Sequence, residues 1–506
     1  MSQQLDDTYK ELIAKTREIS LIFSCLAVLD WDHKTYMPKK GAEIRSQQIS
    51  MLAGMGHKKF IDPHIGELIN KLKDGGYAKK EFTVEETNIR ELSRQYDKFV
   101  KVPTSLIEEL SKTTTLADAA WIEARKKSDY NEFKPWLDKV IKLKQQYAEA
   151  VGYENEPYDA LLDDYEPGAT AKTVAKVLED FRVDLVEFVG KVLDSGKKPD
   201  VSILEREYPV DLQEVFGKMA AAAMGFDFEG GRLDVTTHPF CTGFGPGDTR
   251  ITTRYNLNHF NHAFFGIMHE AGHGIYDQGL PAEHTGTPMG ESVSLGIHES
   301  QSRMWENMVG RSRPFWNYFF PLAQRVFQKS LADVKLDDFY FAANDVQPSF
   351  IRVEADEVTY NLHILVRFEM EHAFFKGDLK VDDIPAVWNE KFKHYLGITP
   401  DNDANGCLQD VHWSNGLIGY FPTYTLGNLY AAQFYAKAEK DIGPLDKQFE
   451  RGEYLKLKKW LNENIHIHGQ KYRAEKLVQV VTGNKFSHKP FMEYLKAKFG
   501  PLYGVK

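Results

Sequence analysis

Residues 267–280 read IMHEAGHGIYDQGL, and within them His269 and His273 flank Glu270 in the order His-Glu-x-x-His. On a helix, residues four apart project from one face with their Cβ atoms about 6 Å apart. Two imidazoles so placed can bind one divalent cation at roughly 2.0–2.1 Å each. Glu270 is offset around the helix, where a carboxylate can act as general base on a metal-activated water without ligating the ion. The helix itself is legible: no proline interrupts 258–278, and Gly279 followed by Pro281 supplies a stop. The alternative is a buried helix that carries two histidines by chance.

A catalytic zinc needs a third protein ligand and an open position. A third histidine six residues beyond His273 is excluded, because Gly279 stands there and Tyr276 occupies the place of that pattern's glycine. The other common arrangement draws a glutamate from a following helix. Residues 289–310 (MGESVSLGIHESQSRMWENMVG) offer Glu291, Glu299 and Glu306. The apolar stripe Val293, Ile297, Met304 and Met308 leaves both Glu299 and Glu306 off its centre, so periodicity does not choose among them.

The elements that must position these residues are mostly helical. Apolar residues at three- and four-residue steps predict amphipathic helices over 41–56, 85–99, 102–128, 171–193, 352–374 and 426–440. Strand signal is confined to Arg232–Thr236 and Asp248–Tyr255, separated by the glycine- and proline-rich THPFCTGFGPG. This predicts a β-hairpin in an otherwise all-α chain. The 506 residues exceed the usual size of one core. No linker, repeat or low-complexity tract divides them, so the expectation is a single domain over 1–506, with two helical halves flanking a cleft.

Composition narrows the class. A hydrophobic share of 42% with 27% charged residues is ordinary for a soluble globular protein. The net charge of −10 is spread along the chain without a basic block, which disfavours nucleic-acid and anionic-membrane partners. Three cysteines far apart (Cys25, Cys241, Cys407) argue against a disulfide framework and fit a reducing compartment. The polar N-terminus has no apolar signal region, and no apolar run is long enough to span a bilayer. The expected location is the cytoplasm.

Six motifs then fall in a familiar order: HPF (238–240), DTRIT (248–252), HEAGH (269–273), HESQ (298–301), IRVEAD (351–356) and GCLQDVHW (406–413). With LDWDHKTYMPKKGAEIRSQQ (29–48), they make the chain resemble the thermostable, Taq-type metallocarboxypeptidase family over essentially its whole length. The resemblance implies His269, His273 and Glu299 as metal ligands and Glu270 as catalytic acid/base. It also implies an all-helical fold with a long deep groove, similar to angiotensin-converting enzyme and neurolysin. The metal it implies is Zn²⁺, with Co²⁺ able to support activity, and the assembly a homodimer; His₂Glu ligation also admits Mn²⁺.

An exopeptidase must recognise a free terminal carboxylate, which a guanidinium does with two parallel charge-assisted bonds. Arg352 of IRVEAD is the first candidate, since the resemblance implies a place for it in the substrate groove, and Arg250 of DTRIT is the second. The structural alternatives are ion pairs, Arg352 with Glu354 or Asp356 and Arg250 with Asp248. An edge strand of the predicted hairpin can bind substrate backbone by strand addition, with His238 contributing there or serving as a core histidine. His412, Tyr420 and Tyr424 are candidate donors to the oxyanion of the tetrahedral intermediate. Asp277 or Asp356 is expected to orient a ligand histidine. The expected function is removal of single C-terminal residues from peptides; the alternatives are an oligopeptidase or dipeptidyl carboxypeptidase on a similar scaffold, and a non-catalytic interaction protein.

Overall fold

The structure, a computed structural model, describes residues 2–506. Helices dominate it, and the described residues contain one three-stranded sheet. The helices found at Ala42–Phe60, Val84–Lys101, Thr104–Lys127, Ala171–Asp194 and Pro422–Ile442 match five of the six predicted segments. Local chemistry sets their ends. Thr170 and Thr173 form a reciprocal capping box at the start of Ala171–Asp194. Ser128, at φ 54°, closes Thr104–Lys127 in the left-handed region.

The segment predicted as a helix over 352–374 is helical only from Tyr360 to Lys376. Arg352–Glu354 is a single 3-10 turn. Beyond it the Asp356 carboxylate accepts hydrogen bonds from the Val358 and Thr359 amides, at 2.8 and 2.9 Å. A side chain that takes those amides ends the preceding turn and starts a new one, which apolar periodicity cannot register.

The sheet also departs from expectation. Its strands are β1 (Gly231–Val235), β2 (Cys241–Gly245) and β3 (Asp248–Thr253), in the order β1-β3-β2. The two predicted strands, β1 and β3, do pair, but in parallel. The stretch read as their turn supplies β2, which pairs antiparallel with β3 around Pro246–Gly247. The glycines that signalled a turn form an irregular strand, with a register shift between Gly243 and Gly245.

The Cα framework resolves into two compact units. The first comprises the N-terminal stretch to Phe99, Asp200–Ala343 and Gln433–Lys485. It contains the sheet and an aromatic core of Tyr208, Phe216, Phe260, Phe264, Trp316 and Phe339, all buried. The second comprises Val100–Pro199, Asn344–Ala432 and Phe486–Lys506. Its helix Tyr360–Lys376 is buried on nearly every side, including Arg367 and Glu371.

Within the first unit Glu91 is fully buried and gathers three guanidinium groups. Arg90 Nε and Arg94 Nε donate at 2.8 and 3.2 Å, and Arg473 NH1 at 2.9 Å. Burial opposes its ionisation, but Arg473 and its neighbours outweigh burial and hold the carboxyl below the ordinary 4.5. Because the folded value is depressed, the stabilisation is present above pH 4.5 and is lost as pH falls through the lowered value. Glu91→Gln is therefore expected to cost about 1.5–3 kcal/mol at pH 7. Urea unfolding at a series of pH values should show the gap between variant and wild type closing below pH 4.5.

Candidate metal centre and active site

The helix Phe260–Gly279 is anchored by its N-terminal half. Phe260, Phe264, Phe265, Ile267 and Met268 are all buried, so the positions of His269 and His273 are fixed by packing. The next helix, Leu295–Arg303, starts at Ser294, whose hydroxyl accepts from the Ile297 amide at 3.1 Å.

The two helices cross at Gly272. A Cβ there would lie 2.6 Å from Ser302 Cα and 2.8 Å from the Gln301 carbonyl oxygen, both backbone atoms. Only glycine lets the second helix approach closely enough to deliver Glu299. Helix propensity alone favours alanine by about 1 kcal/mol, but the clash is with rigid backbone. Gly272→Ala is expected to cost about 1–3 kcal/mol overall and to weaken metal uptake, measurable by thermal unfolding and chelator competition.

Glu299 Oε2 lies 3.7 Å from His269 Nε2 and 3.5 Å from His273 Nε2. All three donor atoms fall within 4.8 Å of one another. Ligands about 2.0–2.2 Å from one tetrahedral cation are themselves about 3.3–3.6 Å apart. The N, N, O donor set and its spacing therefore fit a divalent cation.

The other ring nitrogens of both histidines are occupied. His269 Nδ1 lies 2.9 Å from Glu306 Oε2, and His273 Nδ1 lies 2.5 Å from His298 Nδ1. His298 Nε2 in turn meets Asp277 Oδ1 at 2.9 Å. Glu306 sits in a π-helical turn, Met304–Gly310, that continues the Glu299 helix. Both glutamates face His269, Glu299 toward Nε2 and Glu306 toward Nδ1. Arg303 bridges them, with Nε 2.6 Å from Glu299 Oε1 and NH1 3.4 Å from Glu306 Oε2.

The electrostatics follow from this packing. Burial raises the Glu299 carboxyl, but Arg303 and the two histidines outweigh it and hold it well below the carboxylate range. Glu306 is likewise held at about 2, with Arg303 the chief charge opposing burial. Burial pushes His273 down to about 4, so it is neutral at pH 7, the state a ligand needs. Glu270 is buried beside this cluster, and burial pushes its carboxyl up to about 7. A base with that value exchanges a proton readily near neutral pH.

A second polar cluster lies in the second unit. Arg352 donates from Nε to Asp410 Oδ1 at 2.9 Å and from NH1 to the Tyr360 hydroxyl at 2.9 Å. Its NH2 lies 2.9 Å from the same Asp410 oxygen. Arg367 holds the other Asp410 oxygen, Nε to Oδ2 at 2.6 Å. His412 Nε2 lies 3.3 Å from the Tyr424 hydroxyl, and Tyr420 packs edge-on against Tyr424 at 5.3 Å between centroids. Burial pushes His412 down to about 4, leaving it neutral.

Several expectations need correcting. The ion pair of Arg352 is with Asp410, 58 residues on, and not with Glu354 or Asp356. Asp356 caps its own turn, while Asp277 reaches His273 only through His298. Arg250 is committed to Asp248 through two bonds of 2.9 Å and packs over Trp31 at 4.1 Å, the structural alternative named for it. His238 lies in the exposed loop between β1 and β2, so it is not a core histidine. Asp410, Glu306 as a brace and His298 were missed. HESQ and GCLQDVHW contain two of these residues, but a motif does not say what its neighbours touch.

Carboxypeptidase Taq (M32) metallopeptidase is the family model that matches residues 11–499. The chain is 47% identical to thermostable carboxypeptidase 1 of Thermus thermophilus over 505 residues, covering 98% of this chain and 99% of that protein. It is 39% identical to carboxypeptidase 1 of Bacillus subtilis over 496 residues, covering 98% of each. The solved structure of an M32 carboxypeptidase from Deinococcus radiodurans R1 superposes with a TM-score of 0.94 at 36% identity, covering 99% of this chain and 100% of that one. With an M32 family match over nearly its full length, a mostly helical fold shared with those structures and a donor set suited to a divalent cation, this chain belongs to the M32 (Taq-type) metallocarboxypeptidase family.

Proposed function

We propose that this chain is a metal-dependent carboxypeptidase that removes single C-terminal residues from peptides, working as one catalytic domain with the metal held by His269, His273 and Glu299. The observation that carries the assignment is the convergence of those three donors within 4.8 Å, with buried Glu270 on the same helix. The donor set suits Zn²⁺, and admits Co²⁺ or Mn²⁺. When bound, the cation supplies Lewis-acid polarisation of the scissile carbonyl and makes water a usable nucleophile near neutral pH.

The chain's own residues do the rest. The Glu270 carboxylate accepts a proton from the attacking water and returns it to the leaving amine. His412, Tyr420 and Tyr424 donate toward the developing oxyanion. A guanidinium carries five N–H donors; Arg352 donates one to Asp410 and one to Tyr360, and its NH2 lies against the same Asp410 oxygen. The rest of its fork suits a substrate carboxylate. Arg250, paired with Asp248, is the second candidate to meet the substrate, from strand β3. The edge strand β2 offers backbone groups to the peptide, and exposed His238 contributes at that rim. Homodimerisation and a cytoplasmic location belong to the same reading, supported by the family resemblance and by free cysteines.

The test is a metal-loaded incubation with a peptide and its C-terminally amidated twin, followed by mass spectrometry. Stepwise loss of single C-terminal residues is expected from the free peptide, with the amidated one cleaved poorly. Loss of residue pairs or internal cuts would support the oligopeptidase reading instead. Equal cleavage of the two peptides would remove the role of Arg352. Chelation should abolish activity, and a divalent cation should restore it.

A further inference from the structure

The two histidines of the metal centre are braced in different ways. His269 leans on a carboxylate that Arg303 and Arg311 hold in place, whereas His273 leans on another histidine. For His273 to offer Nε2 to a cation, its proton must reside on Nδ1. At 2.5 Å the facing atom, His298 Nδ1, must then be the acceptor. That places the His298 proton on Nε2, where it is donated to Asp277 Oδ1 at 2.9 Å. With His273 Nε2 kept free of a proton for the cation, any other arrangement turns two protons or two lone pairs toward each other across one of these contacts.

Asp277 is itself fixed. It lies four residues beyond His273 on the same helix, and its second oxygen meets the Cys241 thiol at 3.8 Å. Strand β2 passes so closely that a Cβ at Gly243 would stand 3.2 Å from Asp277 Oδ2. A cavity of about 540 Å³ opens against this line, with Cys241, Asp277, Glu291 and His298 on its wall. His298 therefore faces the cavity on one side and His273 on the other, and it is more than packing between helices.

We propose that Asp277 and His298 are positioning residues which set the tautomer and ring orientation of His273, and through them the metal affinity of the centre. The proposal rests on the reading of His273 as a ligand. Its test is the Zn²⁺ dissociation constant of the full chain, measured by chelator competition, with the visible spectrum of the Co²⁺-loaded protein as a report on ligand geometry.

His298→Ala is expected to raise the dissociation constant about 10–100-fold and to shift the Co²⁺ bands. Asp277→Asn, which keeps shape and loses charge, should raise it by about 10-fold. His298→Asn supplies an amide oxygen that can accept from His273 Nδ1, and should recover part of the loss. Wild-type affinity and an unchanged spectrum in both His298→Ala and Asp277→Asn would overturn the proposal. Should His298→Ala fail to fold, the isosteric Asp277→Asn decides alone, wild-type affinity there counting against the proposal. A wild-type chain that takes up no Zn²⁺ would overturn the metal reading beneath it, which distinguishes the two failures.

Discussion

Glu270→Gln is expected to lower kcat by about 10²–10⁴-fold while leaving the metal content of the protein unchanged. Glutamine has the shape of the native side chain but cannot take a proton from water, so the variant removes proton transfer and little else. The size of the effect follows from the position of the group. Glu270 is buried, and burial pushes its carboxyl up to about 7, with the charges of Glu299 and Glu306 adding to the shift and His269 opposing it. Steady-state kinetics on a free peptide, together with metal analysis of the same preparation, checks both halves. A variant that kept full activity would remove Glu270 from the chemistry.

The second large effect is expected at Asp410. Its carboxylate is shared by Arg352 and Arg367, both buried, so Asp410→Asn leaves two guanidinium groups without their counter-charge. Breaking a buried ion pair from one side costs about 3–5 kcal/mol. The same change loosens Arg352, so KM for peptides with a free terminus should rise. Burial raises the Asp410 carboxyl, but Arg352 and Arg367 outweigh it and hold it far below the ordinary 3.8. With a depressed folded value, the stabilisation is present above pH 3.8 and persists until pH falls through the lowered one. Urea unfolding at pH 7 and at pH 4 should therefore show nearly the same difference between wild type and variant. Equal stability of the two proteins would show that the arginines are compensated elsewhere.

What the sequence disclosed about this chain follows from how local each feature is. The His269 helix was legible because its spacing, its stop signal and its lack of proline all lie within one segment. Glu299 was one of three open choices on periodicity and was singled out only through the family motifs. The structure shows why periodicity hesitated: Glu299 and Glu306 both face His269, one toward each ring nitrogen. The parallel pairing of β1 with β3 was not legible, because the intervening strand reads locally as a turn. Neither was the helix start at Tyr360, which Asp356 sets by capturing two amides. The partner of Arg352 was missed for a different reason. Asp410 lies 58 residues away, and no local pattern links it to IRVEAD.

The most direct test of the central claim is the metal content of two purified glutamate variants, measured side by side. The centre described here assigns one glutamate to holding the cation and the other to moving a proton. Glu299→Ala should lose the bound divalent ion, and Glu270→Gln should retain one equivalent per chain. A Glu299→Ala protein that kept its metal, or a folded Glu270→Gln protein that lost it, would contradict the assignment.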